Sequence, residues 1–99
     1  MQGQRRTQSA GVYCVEGVPG WVKIGKAKNI AKRMRDLQIG SPVPLRLVAV
    51  LSQNTADESK LHHRWRHLRS SGEWFRLDNE LAAFVREARA ALAARERSA

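Results

Sequence analysis

One cysteine, one tyrosine and three prolines in 99 residues set the first limits on this chain. A lone Cys14 cannot close an internal disulfide and does not by itself build a zinc site. No apolar run is long enough to cross a bilayer. The opening stretch, Met1 to Ala10, carries Arg5 and Arg6 but lacks the apolar segment of a secretory signal. It reads as a disordered tail, and the cytoplasm is the expected compartment. Internal repeats and linkers are missing, and the length excludes a second sizeable core. Residues 11–96 therefore read as one domain. Acidic residues are also scarce: nine face eighteen basic ones, for a formal charge of +9. Hydrophobic content of 42% excludes a disordered chain. A surplus of positive charge in a small folded domain favours a polyanionic partner through counterion release, and nucleic acid is the commonest such partner.

What is present can be read as alternating short elements. Gly11 to Glu16 has the Val and Tyr content of a strand. Gly17-Val18-Pro19-Gly20 has Pro and Gly in the order of a type II turn, and Trp21 to Gly25 follows as a second strand. Asn29 is placed to cap a helix from Ile30 to about Ile39, ended by Gly40. Leu45 to Leu51 is a nearly continuous apolar run, as expected of a central strand buried on both faces. Thr55-Ala56-Asp57-Glu58 has the form of a capping box opening a helix to about Arg69. Glu73 to Leu77 is a short extended piece, and Asp78 or Asn79 starts a last helix with Leu81, Phe84, Val85, Ala88 and Leu92 on one face. The expected fold is α+β: a small three-stranded, largely antiparallel sheet flanked by helices.

Strand alternation turns the hairpin into a testable claim. A plain four-residue loop from Gly17 to Gly20 would pair Tyr13 with Ile24 and send Lys23 to the opposite face. Tyr13 and Lys23 share a face only if the register shifts by one, through a bulge or a longer loop. Next, Gly25-Lys26-Ala27-Lys28-Asn29 can bring lysines and helix-start N–H groups to a phosphate. Arg33 falls at the edge of the Ile30, Met34, Leu37 stripe, where a charge must snorkel, pair or line a cleft. Glu58 and His62 are four apart and so share a helix face, with Arg69 projecting in a similar direction. A carboxylate and an imidazole at that spacing could hold one divalent ion. The capping box offers Glu58 a purely structural role, however. Glu73 could pair with an arginine or touch the same cleft. Trp74 and Phe75 read as core rather than as base-stacking platforms.

Taken together, the ordered set resembles the GIY-YIG endonuclease superfamily. Gly11-Val12-Tyr13 stands at its first motif and Lys23-Ile24-Gly25 at its second, ten residues from Tyr13 to Lys23. The stretch from Gly25 to Arg33 is similar to the nuclease domain of the nucleotide-excision-repair endonuclease. Glu58 through Leu61-His62 to Gly72-Glu73-Trp74-Phe75 is similar to a phage-associated subgroup that includes the meiotically up-regulated gene family.

The resemblance implies an enzyme that hydrolyses DNA phosphodiester bonds with one divalent ion, Mg2+ or Mn2+. By position, Tyr13 would be the general base or would orient the attacking water. Arg33 would stabilise charge on the phosphate, and Lys26 would orient or deprotonate Tyr13 or contact the phosphate. Glu58 would bind the metal, with His62 the alternative occupant of that place. Lys28, Lys32 and Arg69 would contact the nucleic acid. Lys23 stands where a tyrosine is usual, and Asn79 is the candidate for a late asparagine. A free tyrosine titrates at about pH 10, so neighbouring cations are needed to favour the phenolate. The DNA could be double-stranded or branched, with targeting left to DNA structure or to a partner protein. Two other classes stay open: a non-catalytic nucleic-acid-binding module that keeps the site as a phosphate clamp, and a protein-interaction domain that docks through its last helix.

Overall fold

The computed structural model describes residues 9–98. The elements run β1 (Gly11–Glu16), β2 (Trp21–Ala27), α1 (Ile30–Ile39), β3 (Arg46–Ser52), α2 (Glu58–Arg64), β4 (Trp74–Arg76) and α3 (Asn79–Ser98). Single 3-10 turns, Thr55–Asp57 and Arg66–Leu68, flank α2. Most of the expected tail, residues 1–8, lies outside the described residues; the Ser9 carbonyl accepts a hydrogen bond from Ile30 N at 2.9 Å. No helix among the described residues is long and apolar enough to cross a membrane.

The sheet has four strands in the order β3-β1-β2-β4, and every neighbouring pair is antiparallel. Two expectations need correction here. The extended piece before the last helix joins the sheet as β4, making four strands rather than three. The Leu45–Leu51 run is not central: β3 is an edge strand, and its exposed Arg46 and Leu47 show that burial stops partway along it. The two inner strands are β1 and β2, and in β1 Gly11 to Val15 are all buried. β-bulges between Val12 and Tyr13 and between Cys14 and Val15 adjust its pairing with β3.

Each sheet face carries its own core. Val12, Cys14, Val22, Ile24 and Phe75 pack with Leu61 and Trp65 of the α2 region and with Leu81 and Val85 of α3. On the opposite face Tyr13 and Val15 pack against Ile30 of α1, with Met34, Leu37 and Leu45 at the margin. α1 forms as its sequence indicates: the Asn29 side chain accepts from Lys32 N at 3.0 Å, and Gly40 closes the helix. The start of α2 differs. Asn54, not Thr55, is the capping residue, its side chain accepting from Ala56 N at 3.0 Å. Asp57 instead accepts from the Ser52 hydroxyl at 2.6 Å. The expected capping box is replaced by a 3-10 turn, and Glu58 becomes the first residue of α2 rather than a cap partner.

Candidate active site

The site grows out of the β1–β2 register. Tyr13 pairs with Gly25 and Val15 with Lys23, so the connection between the paired residues Glu16 and Val22 is odd-numbered. Trp21 N donates to Val18 O at 3.1 Å, and Gly20 has φ of +89°, the value a type II turn requires at its third position. Tyr13, Val15, Lys23 and Gly25 therefore share the face covered by α1, as the longer-loop alternative requires. Pleat alternation sends Lys26 to the other face, with Val12 and Ile24, where its side chain is exposed. Lys26 is not brought to Tyr13, and its expected role toward that hydroxyl has no geometric basis.

Tyr13 is buried, and its ring lies directly over Gly25. A Cβ built on Gly25 would fall 2.5 Å from Tyr13 Oη, 2.7 Å from Cζ and 2.8 Å from Glu73 Oε1. Gly25 is thus the gap through which the phenol and a carboxylate meet. From α1, Arg33 reaches Tyr13, and its interaction with that hydroxyl, with the nearby Glu73 and Asp36 charges, pushes the guanidinium pKa further up. Arg33 is otherwise exposed. It leaves the apolar stripe of its helix by reaching over the edge, one of the outcomes its position allowed.

Glu73 joins the parts. Its backbone carbonyl accepts from Ile24 N at 3.0 Å, which fixes the residue beside β2 just before β4 begins. Its carboxylate lies 3.3 Å from Lys23 Nζ. Lys23 is in turn 5.8 Å from the centroid of the Trp74 ring. On its other side Glu73 meets Glu58 and His62 of α2: one ligand atom from each of the three lies within 4.8 Å of the others. Sequence reasoning gave Glu73 a minor place, because nothing in its spacing shows that a sheet hydrogen bond holds it beside Gly25.

The donor set suits a hard divalent cation. Two carboxylates and one imidazole are ligand types that Mg2+ and Mn2+ accept, the imidazole leaning toward Mn2+. His62 Nε2 lies 2.7 Å from the Ile24 carbonyl, which can only accept, so Nε2 carries the proton and the neutral ring keeps its lone pair on Nδ1. A ligating histidine is commonly held by such a backbone acceptor. Another grouping, His67, Asp78 and Glu80, is accounted for locally, since Asp78 caps α3 by accepting from Leu81 N at 2.8 Å.

The remaining expected contacts lie around the rim. Lys28 is exposed in the turn before α1. Lys32 is exposed and paired with Asp36 at 3.2 Å. Arg69 donates from Nε to the Gly72 carbonyl at 2.5 Å, so it braces the loop that carries Glu73. Phe75 is core as expected, but Trp74 is only half-buried.

No curated protein and no solved structure gives a significant match to this chain. The stretch that builds both cores and this site does match a known family: residues 9–94 align with the T5orf172 domain, so the chain belongs to that phage-associated domain family.

Proposed function

We propose that this domain is a metal-dependent DNA endonuclease of the GIY-YIG type, using one Mg2+ or Mn2+ ion. The observation that supports the reading is the meeting at Glu73 of two sets of residues: Tyr13, Lys23 and Arg33 on one side, Glu58 and His62 on the other. A divalent ion held by Glu58, His62 and Glu73 would supply Lewis-acid stabilisation of charge on the phosphate. Tyr13 Oη, acting as phenolate, would orient the attacking water and take its proton as the new P–O bond forms, while the bond to the leaving oxygen breaks and that oxygen takes a proton from solvent. Arg33, already cationic beside that hydroxyl, neutralises the charge gathering on the phosphoryl oxygens. Lys23 occupies the place of the usual second tyrosine and holds Glu73 at the junction. Lys28 and Lys32 attract the DNA backbone without reading its sequence.

The Lys23–Glu73 ion pair also favours a second reading, because it satisfies a would-be ligand internally. In that case the domain binds nucleic acid without cutting it. Plasmid nicking with Mg2+ or Mn2+ separates the two. Metal-dependent cutting reduced about a hundredfold in Tyr13→Phe and in Arg33→Ala is the expected result. Arg33 is exposed, so its removal should leave the melting temperature nearly unchanged. Salt-sensitive DNA binding with no nicking under any divalent ion would establish the binding module instead.

A further inference from the structure

Beside the site lies an apolar groove of about 420 Å³, lined by Val18, Trp21, Pro42, Val43, Leu45 and Trp74 among others. It faces solvent: Val18 is 55% exposed and Val43 37%. The groove is continuous with the site through the pleat. Trp21, Lys23 and Gly25 follow one another at alternate positions of β2, and on β4 Trp74 and Arg76 stand opposite Lys23 and Trp21. One row of side chains therefore runs from the groove to the residue beneath Tyr13. The Trp74 indole belongs to both, forming a groove wall and lying 5.8 Å from the Lys23 ammonium that holds Glu73.

We infer that this groove takes an unstacked nucleobase, which makes the substrate DNA with an unpaired nucleotide next to the scissile phosphate. A flap, a loop or a branch point fits; an uninterrupted duplex does not. The inference rests on the nuclease reading and names its substrate class. A base has two flat apolar faces and is tethered to its own phosphate, and the groove offers two indoles beside a phosphate-binding corner. The volume is at the lower end of what small planar ligands occupy. The exposed Arg76, paired across the sheet with Trp21, adds positive charge beside the aromatic row, which suits a flanking phosphate of a strand. A base inside a duplex is stacked on both sides and would first have to be flipped out, at a cost that an already unpaired base does not carry.

The test is equilibrium binding in EDTA, where nothing is cut, using a labelled duplex and the same duplex bearing a short single-stranded flap. The flap substrate should bind about tenfold tighter, in line with one stacked base, and should quench tryptophan emission more strongly. Trp74→Ala and Val43→Asp should each remove the preference; Trp74→Phe, which keeps an aromatic plane, should retain most of it. Far-UV circular dichroism of each variant confirms folding, and Val43 lies in an exposed connection where substitution spares the core. Equal affinity for both substrates, or a preference that survives Val43→Asp, overturns the inference, while plasmid nicking by the same preparation leaves the nuclease reading standing. Failure to bind either DNA overturns the inference, and absence of nicking with Mg2+ or Mn2+ as well overturns both.

Discussion

A methyl group at Gly25 would fall inside the van der Waals envelope of both Tyr13 and Glu73; the Glu73 carboxylate, at the end of a partly exposed side chain, can swing aside, but the Tyr13 ring has no room to retreat. The Tyr13 ring is buried, and the Glu73 backbone is tied to β2. Gly25→Ala is expected to cost about 1–3 kcal/mol in urea unfolding, the usual range for overpacking, and to abolish nicking by displacing the phenol. Cys14 makes the opposite case, a nucleophile kept out of reach. Burial, followed by the Glu16 charge, pushes its thiol up to about 12. Its folded value is raised, so the stabilisation it contributes is complete below about pH 9 and is lost as pH rises toward 12. Iodoacetamide should label Cys14 only after denaturation, and Cys14→Ala should flatten part of the decline in urea midpoint over that interval. At this scale the sequence was legible where chemistry is carried by residue type, as with Tyr13, Arg33 and His62. It was not legible for Glu73 or Trp74, whose environment depends on a strand pairing made across the whole chain.

Helices and strands were easier to locate than to place. α1 was readable because its cap, stripe and terminating glycine are all local signals, and each holds in the folded chain. The start of α2 was misread for an equally local reason: Asn54, Thr55, Asp57 and Glu58 offer two competing capping schemes, and the Ser52–Asp57 hydrogen bond tips the choice toward Asn54. Asn54→Ala should therefore cost about 1 kcal/mol in unfolding experiments, whereas Thr55→Ala should cost only a few tenths. Equal losses would show that both caps contribute. For β3, hydrophobic content suggested a strand buried on both faces, but only its β1 side is paired and its early residues are exposed. Composition alone does not distinguish a central strand from an edge covered on one face by a long helix such as α3.

For the molecule as a whole, a formal charge of +9 on so small a domain should dominate DNA affinity. If Arg33, Lys28 and one or two neighbours neutralise phosphates, the logarithm of the binding constant should fall against the logarithm of salt with a slope of about −3 to −4. Fluorescence anisotropy from low to high salt measures it; a slope near zero would remove the electrostatic basis of the nucleic-acid reading. The two cores and the site also share one dependence. Alternate residues of β2 serve opposite sides of the sheet: Val22 and Ile24 fill one core, while Lys23 and Gly25 build the site. A one-residue slip of β2 against β1 would exchange the two sets, exposing the apolar pair and burying the lysine. The pairing register is therefore the quantity the fold cannot change, whereas the loop that precedes β2 can shorten without altering it, since hairpins close with loops of several lengths. Deletion of Pro19 alone should accordingly leave a folded protein, with thermal melting as the check; loss of folding would show that this loop length is itself required.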